Sequence, residues 1–390
     1  MPKQKIQAGS AINATAKNTD TYVERLESLT FLRFIAALVV VISHYGPGTL
    51  IYSSLPTILN CGPIMVTFFF VLSGFVLAIS NTGKKISASQ FYINRAARIV
   101  PIYIIALLSF MILSASLFNE PFFMSALLVQ SWFQPNALSL NYPGWSISVE
   151  VFFYAICPLL IFISNAGDKI NIRTWFISAI FLWAFSQVAL SYYSRANQYG
   201  GFGTPSHFLI NYFPPSHLCS FVLGFTAGLM FKAGVLRSAI GEKTSLIISA
   251  ILFAIIGKII DFGPRIDTYL GEHLAYASSL TAILFAPAIY FCAIANKLLK
   301  NIFIMPALVI LGEASYSLYI LQEPAHLIFR MIPAQYLTES HTINFALFLV
   351  FLISVSVASY FLIEKTFSRI IKSTYKSLAK PSLKTTATAA

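Results

Sequence analysis

Apolar positions in this chain come in long continuous runs, not in the alternating pattern of strands or the one-sided stripe of surface helices. Runs of membrane-spanning length fall near 29–46, 62–80, 99–117, 147–164, 174–192, 217–233, 244–260, 275–296, 303–321 and 343–363. Continuous runs predict helices buried on all sides or facing lipid, and they argue against a β-barrel, whose strands alternate. The expected fold is an all-α polytopic membrane protein with about ten transmembrane helices. The stretch Pro121–Phe133 is apolar but too short to span and reads as a re-entrant or interfacial helix. The halves share no repeat of the kind on which many transporters are built.

Composition agrees with this pattern. Of 390 residues, 57% are hydrophobic and 10% charged, against about 25% charged in soluble domains. The net charge of +12 raises the question of nucleic acid, but its distribution answers differently. If the N-terminus is cytoplasmic, every Lys and Arg falls in an inner segment except Arg195, Lys258, Arg265 and Arg330. This positive-inside bias predicts both termini in the cytoplasm, a multi-pass cell-membrane protein, lipid as surroundings and no nucleic-acid partner. Residues 1–25 are polar, with lysines and no apolar core, and read as a disordered cytoplasmic tail. Residues 26–370 read as the membrane domain and 371–390 as a basic cytoplasmic tail. Cys61, Cys157, Cys219 and Cys292 show no metal-ligand spacing, so no metal site is expected.

Ionisable residues inside apolar runs are costly and point to use. In LTFLRFIAALVVVISH, Arg33 and His44 lie eleven positions apart. On a helix that is roughly 20° off one face and a rise of roughly 16 Å. Arg33 also fits a cation snorkelling at a helix end, and His44 a polar residue at the opposite boundary. Arg95 and Arg98, three apart, precede Pro101, a residue tolerated at a helix start. Clustered guanidiniums suit phosphate, and a basic inner loop explains them as well. Lys84 and Lys85 fit the loop reading better. Glu150 follows Ser146 and Ser148 at the start of the fourth run. It can serve acid–base chemistry with His44, or be a helix-start carboxylate favoured by the dipole. Trp145 also fits an interfacial belt, and Ser73–Gly74 a close helix contact.

Six motifs taken in order resemble the family-3 membrane acyltransferases, which O-acylate bacterial surface polysaccharides and related acceptors. They are Arg33 with His44; Phe69, Phe70, Ser73, Gly74 and Phe75; Arg95, Arg98, Ile99 and Pro101; and Pro143, Trp145, Ser146, Ser148 and Glu150, with Ile147 for the usual Leu. The last two are Ser315, Tyr316, Ser317, Leu318 and Tyr319, and Glu364 before Lys365. The chain departs from the family at Gln322-Glu323-Pro324, where a His often precedes the Pro. Gln322 can hydrogen-bond an acceptor but cannot titrate.

The resemblance implies transfer of an acyl group from acyl-CoA to a hydroxyl of a carbohydrate or glycolipid. The donor, acetyl-CoA in the expected case, is a co-substrate and not a resident cofactor. His44 would be the base, with Glu150 orienting it or contacting the sugar. Arg33, Arg95 and Arg98 would bind the donor, and Trp145, Ser146, Ser148, Tyr316 and Gln322 the acceptor or the oxyanion. Acylation of an antibiotic or lipid stays open, as does a transporter or flippase of a lipid-linked sugar without acyl chemistry. Transfer itself can run directly or through an acyl-histidine.

Overall fold

The computed structural model describes residues 26–378, apart from 85–86, 117, 167–170, 196, 272–273, 275, 277 and 304. The expected N-terminal tail, Lys85 and the tail beyond residue 378 lie outside the described residues. Those that are described form helices and connecting turns, with no β-strand among them. The helices that frame the core and the cavities, shorter ones aside, are α1 (Glu27–Tyr45), α2 (Gly62–Asn81), α3 (Ala88–Leu113), α4 (Gly144–Asn165), α5 (Ile172–Ser194), α6 (Leu218–Lys232) and α7 (Glu242–Leu270). There follow α8 (Ala282–Ile294), α9 (Pro306–Glu313), α10 (Ser315–Ile320), α11 (Gln322–Arg330), α12 (His341–Ser359) and α13 (Lys365–Leu378). A π-turn over Tyr360–Glu364 joins the last two into one continuous helix.

Each of the ten apolar runs contributes helix, but among the described residues only 7 helices are long and apolar enough to cross a membrane. The runs at 217–233, 275–296 and 303–321 give shorter or broken pieces. α6 and α8 each begin after a 3-10 turn. The ninth run breaks at Ala314 and Leu321. Pro324 explains the second break, because it has no N–H to give the carbonyl of Ile320. The Asn141 side chain donates to that carbonyl instead, at 3.0 Å. Gln322 Nε2 donates to the neighbouring carbonyl of Tyr319 at 2.6 Å. Two side chains thus satisfy backbone groups that a broken helix leaves open in an apolar setting.

Two further boundaries differ from expectation. α3 starts at Ala88, where Ser87 caps it by accepting from the Gln90 N–H at 3.2 Å. Arg95 and Arg98 therefore lie well inside a helix, and Pro101 is internal to it. At the other end α13 continues helical to Leu378, past the expected tail boundary at 371.

α1, α2, α6 and α8 form the buried centre. A Cβ on Gly74 would lie 2.1 Å from the Phe221 carbonyl oxygen, and one on Gly224 would lie 1.9 Å from that of Val71. Glycine there lets α2 and α6 touch backbone to backbone. Gly312 of α9 similarly sits against the Thr30 carbonyl of α1. The short apolar stretch after α3 forms a helix, Glu120–Ala126, and 3-10 turns. It packs on the start of α4, where Ser131 Oγ donates to the Trp145 carbonyl (2.7 Å) and Gln130 Nε2 to that of Gly144 (2.9 Å).

Candidate active site

The broken helix and α1 to α4 enclose a narrow cavity of about 110 Å³, which takes in Arg33, Ser73, Arg95, Arg98, Glu150 and Tyr319. Glu150 accepts from Tyr154 OH at 2.5 Å and from Ser73 Oγ at 3.2 Å. The Arg95 guanidinium lies 6.0 Å from the centre of the Tyr154 ring, and its Nε is buried without a hydrogen-bond partner. Among the described residues no ion pair within 4 Å ties Arg33, Arg95 or Arg98 to a carboxylate. Half-buried guanidiniums in this state are a strong attractor for an anion.

Two wider cavities adjoin this one. Toward the start of α13 lies a space of about 390 Å³, and Arg95 and Arg98 wall both it and the narrow cavity. On the opposite side lies a space of about 470 Å³ into which His44 is exposed. Val66, Phe70 and Tyr319 wall both that space and the narrow cavity. The three cavities thus form a row running from basic walls through a neck to an aromatic pocket.

The His44 pocket has defined chemistry. His44 Nδ1 lies 2.8 Å from Gln322 Oε1. Gln322 commits its amide N–H to the Tyr319 carbonyl, so Oε1 faces the ring and can only accept. His44 must then carry its proton on Nδ1, which leaves the Nε2 lone pair free as a base. The Tyr142 ring meets the imidazole edge-on, with centres 4.8 Å apart. Tyr142 OH donates to Tyr45 OH (3.2 Å), which donates to Glu323 (2.5 Å). Trp145, Tyr212 and His217 continue the wall, and no Lys, Arg, Asp or Glu lines this pocket among the described residues.

The residues singled out from the sequence therefore divide. Arg33, Arg95, Arg98 and Glu150 come together in the neck, with Ser146 and Tyr316. His44 and Trp145 come together in the aromatic pocket. His44 is oriented by Gln322 and not by Glu150, whose two hydrogen bonds go to Ser73 and Tyr154. Ser146 Oγ lies 2.7 Å from Tyr319 OH, at the junction of neck and pocket. Tyr316 OH is committed to the Ile99 carbonyl (3.1 Å). Ser148 is buried and lines neither cavity; its hydroxyl accepts from the Ser131 N–H at 3.4 Å. Lys84 is exposed and walls none of the three.

The sequence named Gln322 for the acceptor or the oxyanion but not for its contact with His44, and it did not single out Tyr142, His207 or Tyr212. Gln322 acts on His44 from 278 positions away, a distance no local pattern reports. Tyr142 was legible, as it stands in the same short motif as Trp145. His207 lies in a short helix, Pro205–Asn211, and Tyr212 at its end, in a stretch with no recognisable spacing.

Comparison with known proteins adds the following. The family model for the acyltransferase domain of family 3 matches residues 26–364. The chain is 31% identical to acyltransferase MdmB of Streptomyces mycarofaciens over 251 residues. That alignment covers 58% of this chain and 63%, less than two thirds, of the relative. No solved structure matches.

Proposed function

Because the chain belongs to the family-3 acyltransferases, we propose that it moves an acyl group from a coenzyme A thioester to a hydroxyl of a carbohydrate or glycolipid. The acyl group is acetyl in the expected case. The protein lies in the cell membrane with ten spans, counting the broken and shortened segments. Both termini are cytoplasmic, residues 26–370 form the membrane domain, and 1–25 and 371–390 flank it. The basic cavity opens to the cytosolic donor and the His44 pocket faces the opposite side.

The observation that carries this reading is the row of three cavities with shared walls. Arg33, Arg95 and Arg98 attract the donor's phosphates. The neck shares walls with both wider cavities, which suits the pantetheine arm that joins the donor's phosphates to its thioester, and Tyr319 stands where neck and pocket meet. The wider pocket is uncharged and aromatic, which suits the mixed polar and apolar faces of a neutral sugar ring.

In the reaction His44 Nε2 takes the proton from the acceptor hydroxyl as its oxygen attacks the thioester carbonyl carbon. The Gln322 carbonyl holds the Nδ1–H and keeps Nε2 aimed. The carbonyl π-electrons move onto oxygen. If the Ser146 hydroxyl turns from the Pro143 carbonyl to Tyr319, the Tyr319 O–H is freed to donate to that oxyanion. The C–S bond then breaks, and the imidazolium returns its proton to the departing thiolate. An ester and free coenzyme A result. Glu150 offsets the charge of the three arginines along the donor's path.

The test is reconstitution of the purified chain in vesicles with radiolabelled acetyl-CoA outside and neutral sugar acceptors inside, for the orientation that exposes the basic cavity. Labelled ester on the acceptor is expected. Movement of the sugar without ester would contradict the proposal and favour a transporter. Ester formed only on lipid or antibiotic acceptors would contradict the acceptor class alone.

A further inference from the structure

The basic cavity has a second cationic wall, on α13. Lys365, Arg369 and Lys372 stand at intervals of four and three on α13, so they form one stripe on one helix face. All three line the cavity across from Arg95 and Arg98. Tyr375 OH lies 2.8 Å from Ser89 Oγ, which holds α13 against the start of α3. Two carboxylates share the cavity, Glu313 and Glu364. Glu364 is buried in the π-turn and accepts from the Ser317 hydroxyl. Five cations therefore face two carboxylates around about 390 Å³. A stripe that served only as inner-surface charge would not need to face a cavity that also exposes the arginines of the neck.

We propose that Lys365, Arg369 and Lys372 bind the 3′-phosphate of a coenzyme A donor while Arg95 and Arg98 bind its pyrophosphate. This rests on the donor being a coenzyme A thioester. The division follows from the donor's covalent order. The pyrophosphate joins directly to the pantetheine arm, so it belongs beside the neck, which Arg95 and Arg98 also wall. The 3′-phosphate is on the ribose, farther from the arm, and falls to α13. A site built this way selects 3′-phosphorylated donors over dephosphorylated ones, because removing that group leaves three cations without their partner.

The experiment measures binding of coenzyme A and of 3′-dephospho-coenzyme A to the full chain in lipid nanodiscs. It compares the native protein with Arg369→Gln/Lys372→Gln. The native protein should prefer coenzyme A by about tenfold or more, as loss of charge-assisted hydrogen bonds implies. The double variant should lose that preference while binding the dephospho form as the native protein does. Arg369→Lys should keep most of the preference, which a merely structural role would not require. A double variant that keeps the preference overturns the proposal, as does a native protein without one. Anionic lipid offers the same phosphate chemistry, so the arms use phosphatidylcholine alone and with phosphatidylglycerol. A variant that changes only phosphatidylglycerol retention assigns the stripe to lipid and overturns the proposal. A native protein that binds neither coenzyme form overturns the donor reading as well.

Discussion

The hydrogen bond between His44 and Gln322 decides what the imidazole can do. An amide carbonyl fixes the proton on Nδ1 but brings no negative charge to stabilise the imidazolium. In the proposed role as base, His44 is therefore oriented more than strengthened, and alignment should carry most of the effect. His44→Ala should lower acyl transfer by about 10²- to 10⁴-fold with normal folding by size-exclusion chromatography. Retained turnover would remove His44 as the base. Gln322→Leu keeps bulk but removes the acceptor. A lost hydrogen bond of ~1.5–3 kcal/mol should lower kcat about 10- to 100-fold, with KM for the donor unchanged. An altered donor KM alone would refute the orienting role. Arg33 and His44 were legible because ionisable groups interrupt an apolar run. Their separation into two cavities was not. Helix periodicity placed both on one face, and only the neighbouring helices decide which cavity each position meets. Glu150 shows the same limit, since its partners Ser73 and Tyr154 come from packing and not from spacing to His44.

At the scale of elements, the site depends on how closely helices approach and where they break. Gly74 and Gly224 allow α2 and α6 to meet at their backbones, and α2 carries Ser73 and Phe70 to the neck and pocket. Gly224→Leu should push the pair apart and destabilise the fold by at least about 1–3 kcal/mol, read as a lower melting temperature in detergent. An unchanged melting temperature would mean that the two backbones are not in contact. The all-helical membrane class was legible from hydropathy, because apolar length reports burial of a helix. The breaks in the helices were not, although Pro324 gave a local signal. Hydropathy averages over the residues at which a helix stops, and the break at Leu321 is held by Asn141, far away in sequence. For α3, Pro101 read as a helix start because proline is favoured there. The chain instead uses Ser87 as the cap and carries Pro101 inside the helix.

For the whole molecule, the proposed direction from donor to acceptor follows the row of basic cavity, neck and aromatic pocket. The charge asymmetry behind that direction was legible from the positions of Lys and Arg alone. The cavities were not, because they lie between helices distant in sequence. Their shared walls favour direct transfer, since a thioester that passes Tyr319 reaches the pocket of His44 without a carrier. Rapid quench of the protein with labelled acetyl-CoA and no acceptor should trap no acyl-protein. An acid-labile label on His44 would contradict direct transfer. Whether the donor spans all three cavities is decided by cryo-electron microscopy of the full chain with a non-hydrolysable acetyl-CoA analogue. Phosphate density is expected beside Arg95 and Arg98, with the acyl end past Tyr319 and within reach of His44 Nε2. A donor bound elsewhere, or one whose acyl end stops at Glu150, would contradict this placement.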